Sequence, residues 1–309
     1  MKIPVTLVTG FLGSGKTTLV SRLLGHPDLG ETAVIVNELG EVGIDHHLLR
    51  QVDERTVLLR NGCVCCALRG DLADELRDLL ARRDRGEIPA FGRVLVETTG
   101  LADPAPIVYT LLSEPLVKHH YRLDAVVATV DAQHGLRGPE SIKQAAVADR
   151  LVVTKTDLAS PSALNRELAS LNPAAPIVES AFGDVDPDRL FGADERDPRN
   201  LVFADAPAHE AHALCLTFEE PLDWTAFGIW LTMLLQARGE DVLRVKGLLN
   251  VGAEGPLVLN GVQHVVHPPE HLPAWPDEDT RTRIVFIGRG FGREELERSL
   301  AAFSRAATA

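Results

Sequence analysis

One stretch of sequence decides the fold, Gly10-Phe11-Leu12-Gly13-Ser14-Gly15-Lys16-Thr17, because it matches the phosphate-binding pattern G-x-x-x-x-G-K-[ST] at every position. An apolar run, Val5–Thr9, precedes it and a helical pattern follows, which is the strand–loop–helix context of this motif. Its glycines let backbone N–H groups point at phosphate oxygens, and the helix adds partial positive charge. The predicted nucleotide-binding residues here are Gly10, Gly13, Ser14, Gly15, Lys16, Thr17 and Thr18. We expect Lys16 to reach the β- and γ-phosphates and the Thr17 hydroxyl to ligate Mg²⁺.

Outward from this loop, short apolar runs alternate with helical patterns through about the first 200 residues. The predicted strands are Val5–Thr9, Ala33–Asn37, Arg93–Glu97, Ala125–Val130 and Leu151–Thr154. Nearly continuous apolar runs are typical of strands buried on both faces of a parallel sheet. Asp71–Arg83 has its leucines on one helical face, with Asp71 as the predicted N-cap. This alternation predicts an α/β domain with a mostly parallel sheet.

The composition changes near residue 182. The segment Phe182–Glu220 holds ten acidic and three basic residues, and we interpret it as an exposed connector. Beyond it we predict a helix over Trp224–Ala237 and a closing helix that carries Leu296, Leu300 and Phe303. The predicted strands there are Val242–Val251, Leu257–Leu259, Val262–Val266 and Arg283–Ile287. The chain therefore divides into an α/β domain, residues 1–205, and a smaller α+β domain, residues 206–309.

A second apolar run ends at Glu97 and is followed by Thr98-Thr99-Gly100. A carboxylate at a strand end can hold Mg²⁺, directly or through water, and a glycine N–H can contact a γ-phosphate and sense its loss. We therefore predict Glu97 as a Mg²⁺ ligand together with Thr17. The predicted catalytic residues are Lys16, Thr17, Glu97 and Gly100.

A third strand leads into Thr154-Lys155-Thr156-Asp157, which resembles the N/T-K-x-D guanine motif of GTPases. Asp157 would accept hydrogen bonds from guanine N1–H and the N2 amine, and adenine offers neither donor there. The aliphatic stem of Lys155 would pack over the base. Ser180-Ala181 occupies a position at which GTPases often close over guanine. GTP and GDP are therefore the predicted nucleotides.

Three of the four cysteines lie within four residues, at Cys63, Cys65 and Cys66. A disulfide framework would spread its cysteines along the chain, so this cluster indicates a metal or redox site. Three thiolates form a soft site that suits Zn²⁺ or Cu(I) and, less specifically, Co²⁺ or Ni²⁺. A closed structural zinc site usually has four protein ligands, so a set of three suits a site that also releases its metal. Cys215, between two leucines, is predicted to be a packed strand residue.

Taken together, these motifs resemble those of the CobW family of metallochaperone GTPases. The resemblance rests on the phosphate loop, Asn37–Glu41, Gly62–Cys66, Glu97–Pro104 and Thr154–Asp157, which follow one another in the family's order. It continues through Arg244–Gly247, Gly261–Gln263 and Val285–Gly288, which look like the family's C-terminal domain. It therefore covers nearly the whole chain.

The resemblance implies a P-loop GTPase domain with a smaller C-terminal domain and slow intrinsic GTP hydrolysis. It implies that Zn²⁺ or Co²⁺ binds at Cys63, Cys65 and Cys66 and is delivered to a client metalloprotein. From their position between two motifs, Glu38, Glu41, Asp45, His46 and His47 are candidates for an auxiliary metal ligand or a Mg²⁺ contact, although the sequence favours a surface position for the two histidines. A homodimer is left open. So are two other functions, a nucleotide-regulated metal sensor or store, and a P-loop kinase or transferase.

The formal charge of −13 over 309 residues opposes a broad nucleic-acid surface, because such surfaces are basic. No apolar run approaches the roughly 20 residues of a membrane span, and the N-terminus lacks a signal-peptide pattern. We therefore expect a cytoplasmic protein with no nucleic-acid or membrane partner. His264, His267 and His271 could form a second metal site, although the sequence favours an exposed loop for them.

Overall fold

The computed structural model describes residues 2–37, 57–61, 69–192 and 211–307. They divide into two compact units, the first within residues 2–165 and 176–192, the second comprising residues 166–175 and 211–307. The domain boundary predicted between residues 205 and 206 lies in 193–210, outside the described residues. No helix in the described ranges is long and apolar enough to cross a membrane.

The first unit is built on a seven-stranded sheet in which every pairing is parallel. Its strands are β1 (Ile3–Gly10), β2 (Thr32–Asn37), β3 (Val57–Asn61), β4 (Arg93–Glu97), β5 (Tyr121–Asp131), β6 (Arg150–Thr154) and β7 (Ile177–Glu179). They lie in the order β3-β2-β4-β1-β5-β6-β7. The strands β2 to β4 therefore lie on one side of β1, and β5 to β7 lie on the other side. In sheets of this kind, ligands bind at the carboxyl ends of the strands, beside the point where the strand order reverses. The predicted α/β sheet is confirmed, with β3 and β7 as edge strands that were not predicted.

The described residues between 2 and 192 contain six α-helices. They are α1 (Lys16–Leu24), α2 (Arg69–Asp84), α3 (Ala105–Ser113), α4 (Pro115–His120), α5 (Gly138–Val147) and α6 (Ser162–Leu171). The predicted N-cap at Asp71 is wrong, because α2 already includes Arg69 and Asp71 lies in its first turn. An acidic residue is also favourable inside a first turn, so composition alone does not locate the cap.

Helix α1 is anchored to the sheet by its apolar face. Leu19, Val20 and Leu23 are almost wholly buried and pack in one cluster with Val8 and Val127 of the central strands. Burying a leucine side chain contributes about 1.5–3 kcal/mol, so this cluster holds the helix firmly against the sheet. It thereby sets the position of the loop between β1 and α1.

The predicted exposed connector is wrong in two places. Leu190 and Phe191 are buried, and the Arg93 guanidinium lies 4.3 Å above the Phe191 ring. Arg93 also donates a 2.6 Å hydrogen bond to Asp124, a buried carboxylate of β5. The acid-rich average concealed this apolar pair and also the strand that begins at His212.

Residues 211–307 of the second unit form an antiparallel six-stranded sheet and two helices. Its elements are β8 (His212–Phe218), α7 (Trp224–Arg238), β9 (Val242–Leu249), β10 (Leu257–Val262), β11 (Val265–Val266), β12 (Glu270–His271), β13 (Thr282–Gly288) and α8 (Arg293–Ala307). The strand order is β11-β10-β9-β13-β8, with β12 also paired to β10. The predicted α+β domain is confirmed, and Cys215 is a buried residue of β8 as predicted.

The core of the second unit forms where the helices meet the sheet. Phe227 and Trp230 of α7 and Leu296 of α8 are buried in one cluster with Phe286 of β13. Asp223 caps α7, since its carboxylate accepts a 2.9 Å hydrogen bond from the Ala226 N–H.

The single strand predicted over Val262–Val266 is wrong. Val262 ends β10 and pairs with Val265, the first residue of β11, across a two-residue turn. Gln263 occupies that turn with a φ of 49°. The apolar run concealed the turn because valines flank it on both sides.

Candidate functional site

The loop between β1 and α1 has the shape of an anion-binding cradle. Gly10, Gly13 and Gly15 have φ values of 146°, 73° and 90°, which a residue with a Cβ rarely adopts. At Gly10 a Cβ would also lie only 2.3 Å from the Thr129 hydroxyl oxygen, so this position admits glycine alone. The loop therefore keeps the conformation in which its N–H groups and the amino end of α1 can face a phosphate chain.

Lys16 is held close over this loop. Its Nζ donates hydrogen bonds to the carbonyl oxygens of Gly10 (2.9 Å) and Phe11 (3.1 Å), and the residue is 8% exposed. An ammonium group enclosed in this way is shielded from water, which strengthens its attraction for a nearby negative charge. The structure thus places a preorganised cation at the predicted phosphate site.

Thr17 and Glu97 are brought together across the end of the sheet. The Thr17 hydroxyl donates a 2.6 Å hydrogen bond to Glu97 Oε1, although 80 residues separate them in sequence. Glu97 is 4% exposed at the end of β4. A hydroxyl oxygen and a carboxylate oxygen side by side are hard oxygen ligands of the kind that Mg²⁺ prefers, so these two residues fit that ion.

The segment after Glu97 is packed directly against the phosphate loop. A Cβ at Gly100 would lie 2.6 Å from the Leu12 backbone nitrogen, so the two backbones touch. The Gln144 amide of α5 donates to the carbonyl oxygens of Gly100 (3.2 Å) and Ala102 (3.0 Å) and holds this segment in place. Within the described ranges, the buried Thr99 hydroxyl has no hydrogen-bond partner. The motifs did not indicate Gln144, because its contact partners lie more than 40 residues away.

The predicted guanine motif joins the same edge of the sheet. The Thr154 hydroxyl donates a 2.7 Å hydrogen bond to the Ser14 carbonyl oxygen and so ties the motif to the phosphate loop. The N–H of Thr156 donates to the Ser180 carbonyl oxygen at 3.3 Å, which brings the Ser180-Ala181 segment alongside. Asp157 is exposed at this position. The three segments predicted to surround the nucleotide therefore meet, although they are widely separated in sequence.

Lys155 has a charged partner that the sequence did not predict. Its Nζ donates a 2.7 Å hydrogen bond to Asp131 Oδ2 at the end of β5, and His134 Nδ1 lies 2.8 Å from the same oxygen. Burial alone would raise the pKa of Asp131. The hydrogen bonds from Lys155, His134 and the Gln133 N–H outweigh that effect and hold its pKa below the ordinary value. Asp131 therefore stays ionised and orients Lys155.

Replacing Asp131 by asparagine is expected to lower the free energy of unfolding by about 1–2 kcal/mol at pH 7 and to weaken guanine-nucleotide binding, because Lys155 loses its partner. A depressed pKa stabilises the folded state above the unfolded-state value near 3.8 and ceases to do so as the pH falls through the folded-state value. The difference from wild type should be constant from pH 7 to about pH 5 and shrink below about pH 4. Urea unfolding followed by circular dichroism across this range measures it.

His134→Ala is the matched control for that measurement, because it removes the other side-chain partner of Asp131 and leaves the Lys155 pair intact. We expect a smaller loss and little change in nucleotide affinity. A difference between Asp131→Asn and wild type that stays the same down to pH 3 would contradict a stabilising ionised Asp131.

Several predicted residues lie outside the described ranges. They are Glu38, Glu41, Asp45, His46, His47, Cys63, Cys65 and Cys66. The chain nevertheless enters both of their segments from one place, because Asn37 ends β2, Asn61 ends β3, and these two residues are register partners in parallel strands. Both ends lie at the carboxyl edge of the sheet, the edge that carries the phosphate loop. The thiol site remains a prediction.

The histidines of the second unit do not form one exposed loop. His267 is buried with 6% exposure, His264 Nδ1 lies 2.8 Å from the Leu235 carbonyl oxygen, and His271 is exposed in β12. The predicted exposed loop is therefore wrong for His267. No group of three or more His, Cys, Asp or Glu side chains suited to a metal occurs within the described part of the chain.

Comparison with known proteins gives consistent matches to both units. Residues 4–179 match the family described as CobW/HypB/UreG, nucleotide-binding domain, and residues 211–304 match the cobalamin synthesis protein cobW C-terminal domain. The chain is 35% identical to the zinc chaperone YjiA of Escherichia coli, over 97% of this chain and 98% of that protein. It is 26% identical to the zinc-regulated GTPase metalloprotein activator 1 of Schizosaccharomyces pombe, over 94% of this chain and 83% of that protein.

Solved structures lead to the same family. The crystal structure of the Zn(II)-bound YjiA GTPase from E. coli aligns with a TM-score of 0.78 and 31% identity, covering 98% of this chain and 99% of that one. The same protein has also been solved Zn(II)-bound as a triple variant with one glutamate and two cysteines replaced by alanine. The resemblance noted from the motifs is confirmed, and the chain belongs to the CobW/HypB/UreG family.

Proposed function

We propose that this protein is a GTP-dependent zinc metallochaperone that binds Zn²⁺ at Cys63, Cys65 and Cys66 and delivers it to a client metalloprotein. GTP binding is supported by one observation: the phosphate loop, the Thr17–Glu97 pair and the guanine motif lie together at one edge of the sheet. The metal half rests on the three clustered thiols and on relatives named as zinc chaperones.

GTP binds with its phosphates in the loop Gly10–Thr18. Backbone N–H groups and Lys16 neutralise the phosphate charge, and Thr17 and Glu97 hold Mg²⁺. When bound, Mg²⁺ offsets the charge that develops on the phosphate oxygens during hydrolysis. The constrained backbone of the loop and the anchored helix α1 keep these groups in place, so little reorganisation is needed when the nucleotide arrives.

The base is selected by the segments Thr154–Asp157 and Ser180-Ala181. Asp157 accepts from the guanine N1–H and N2 amine, and Lys155, oriented by Asp131, covers the base with its stem. Adenine offers Asp157 neither donor, so an adenine nucleotide forgoes hydrogen bonds to a charged group, which contribute about 1.5–3 kcal/mol each. The enzyme is accordingly a GTPase.

Zn²⁺ is the cargo of this reaction. Three thiolates bind it firmly and leave one coordination position for Glu38, Glu41, water or a client ligand. Co²⁺ suits the same ligands, but the Irving–Williams order places Zn²⁺ above it in affinity. Exchange through an open fourth position lets a client thiol or imidazole displace the protein's ligands one at a time.

The topology of the sheet supports the proposed coupling between nucleotide and metal. Gly100 touches the phosphate loop, and the chain leaves β2 and β3 toward Glu38 and Cys63 at that same edge. Loss of the γ-phosphate removes a contact of the segment around Gly100. This change reaches the metal ligands through the ends of β2 and β3, which lie at the same edge of the sheet. We infer that the GTP state retains Zn²⁺ and that the GDP state releases it.

The test is a zinc competition titration against a chromophoric chelator, with purified protein in three states: nucleotide-free, GDP-bound and bound to a non-hydrolysable GTP analogue. We expect the zinc dissociation constant to be at least about tenfold lower with the GTP analogue than with GDP, a coupling of about 1.4 kcal/mol. By linkage, zinc must strengthen binding of the GTP analogue relative to GDP by the same factor, which gives an internal control. Equal zinc constants in all three states would refute the coupled mechanism.

A further inference from the structure

Phe182 is the exposed aromatic residue that follows the predicted base-closing pair Ser180-Ala181. Its side chain is 67% exposed and its φ is 55°, in the left-handed region that bulky side chains avoid. Among the described residues of the first unit, Lys155 is the only other non-glycine residue with a positive φ, at 56°. Each of these two residues lies in one of the two loops predicted to surround the base. Strained backbone of this kind clusters at ligand sites.

The loop that carries Phe182 is fixed to the helix of the phosphate loop. A Cβ at Gly183 would lie 2.9 Å from the Thr18 carbonyl oxygen, so the loop touches α1. Arg22 of α1 donates a 3.3 Å hydrogen bond from Nε to the Phe182 carbonyl oxygen. The Ser180 hydroxyl donates to the Asp184 carbonyl oxygen at 3.2 Å and closes the turn. These contacts fix the backbone at Phe182. The ring is therefore exposed on a loop whose position is well defined.

The same loop is also joined to the guanine motif. The hydrogen bond from Thr156 N–H to the Ser180 carbonyl oxygen and that from Ser180 N–H to the Val153 carbonyl oxygen (2.8 Å) hold it beside Lys155 and Asp157. Phe182 thus lies in a segment that contacts α1 near Thr18 on one side and the base motif on the other. In the site proposed above, the base of a nucleotide whose phosphates occupy the loop lies beside Lys155 and Asp157, and therefore beside this segment.

We propose that the Phe182 ring stacks on the base of the bound nucleotide and forms one wall of the base site, with the Lys155 stem as a second covering group. This inference rests on the nucleotide site proposed above. Stacking on an aromatic ring is tolerant of base identity because every base has a π-face. Phe182 therefore supplies affinity, whereas Asp157 supplies the choice of guanine.

These two roles can be separated by comparing the binding of three ligands: GDP, IDP and inorganic tripolyphosphate. IDP keeps the N1–H but lacks the N2 amine, and tripolyphosphate has no base. We expect Phe182→Ala to weaken GDP and IDP alike by about tenfold to a hundredfold and to leave tripolyphosphate unchanged. Phe182→Tyr, which keeps the ring on the same backbone, should bind all three within about threefold of wild type. Isothermal titration calorimetry measures each constant.

Leu116→Ala is the matched control, because Leu116 is also an exposed apolar residue (55%) but lies on α4 just before β5 begins, at the opposite edge of the sheet. It should bind GDP as wild type does. An unchanged GDP constant in Phe182→Ala would overturn the stacking role. An equal loss for tripolyphosphate would also overturn it, because the ring would then act on the loop. Failure of wild-type protein to bind GDP would instead refute the proposed site itself.

Analytical ultracentrifugation of Phe182→Ala with GDP separates stacking from a protein interface. If the ring contacted a second copy of the chain, the variant would lose self-association while keeping its GDP affinity, which contradicts the proposal. If the ring stacks on the base, GDP affinity falls whether or not the association state changes.

Discussion

Replacing Lys16 by alanine is expected to lower kcat/KM for GTP hydrolysis by at least about 100-fold, equivalent to about 2.7 kcal/mol of transition-state stabilisation. The physical reason is that Lys16 is nearly buried and already held by the Gly10 and Phe11 carbonyls, so its charge acts on the phosphates through a weakly screening medium. Phosphate release at saturating and subsaturating GTP gives kcat and KM separately. We expect affinity for a GTP analogue to fall more than affinity for GDP, since the ammonium serves the β- and γ-phosphates.

Lys118→Ala removes the same charge from the opposite edge of the sheet, where α4 leads into the amino end of β5. It should hydrolyse GTP within about twofold of wild type, because an exposed lysine at that distance is screened by solvent. If Lys16→Ala retained wild-type turnover while Lys118→Ala did not, the phosphate loop would not be the site of hydrolysis.

Replacing Cys63, Cys65 and Cys66 by serine together is expected to remove the tightest zinc site and to raise its dissociation constant at least about 100-fold. A serine hydroxyl has nearly the size of the thiol but does not ionise near neutral pH, and zinc binds the ionised sulfur. Affinity for GDP should not change. Zinc should no longer alter the affinity for a GTP analogue, because the metal half of the coupling is lost.

Competition against chelators of graded affinity is the measurement for this variant, since it separates one tight site from weaker zinc binding elsewhere on the protein. Cys215→Ala is the matched control: this thiol is buried in β8 of the second unit, and its loss should leave zinc affinity and coupling as in wild type. If the triple serine variant kept the tight site, the cargo metal would bind away from the cysteine cluster.

Much of the nucleotide site could be predicted from the sequence because its chemistry is carried by short contiguous motifs. The phosphate loop, Glu97-Gly100 and Thr154-Asp157 each follow an apolar strand directly, so the strand and the functional group are recognised together. In a parallel sheet the carboxyl ends of neighbouring strands share one edge, and this rule alone predicts that the motifs meet. The cysteine cluster is equally local, and its metal remains a prediction.

Other features depend on residues that are distant in sequence and carry no local signal. Gln144 is an ordinary helical residue until folding places its amide against the Gly100 and Ala102 carbonyls. Asp131 becomes the partner of Lys155 only because β5 and β6 are neighbours in the sheet. The burial of Leu190 and Phe191 within an acid-rich segment likewise depends on distant residues, because both pack in the cluster that holds Val8 and Leu19, and Arg93 of β4 covers the Phe191 ring.

The sequence by itself therefore determined the fold class, the nucleotide, the phosphate and base motifs and the candidate metal ligands, because each is encoded in adjacent residues. Only the tertiary structure decided which groups hold those motifs in place and which backbone conformations they adopt. The left-handed φ of Phe182 shows the difference most clearly. No property of phenylalanine favours that conformation, and it persists because contacts with α1 and the guanine motif determine the path of the loop.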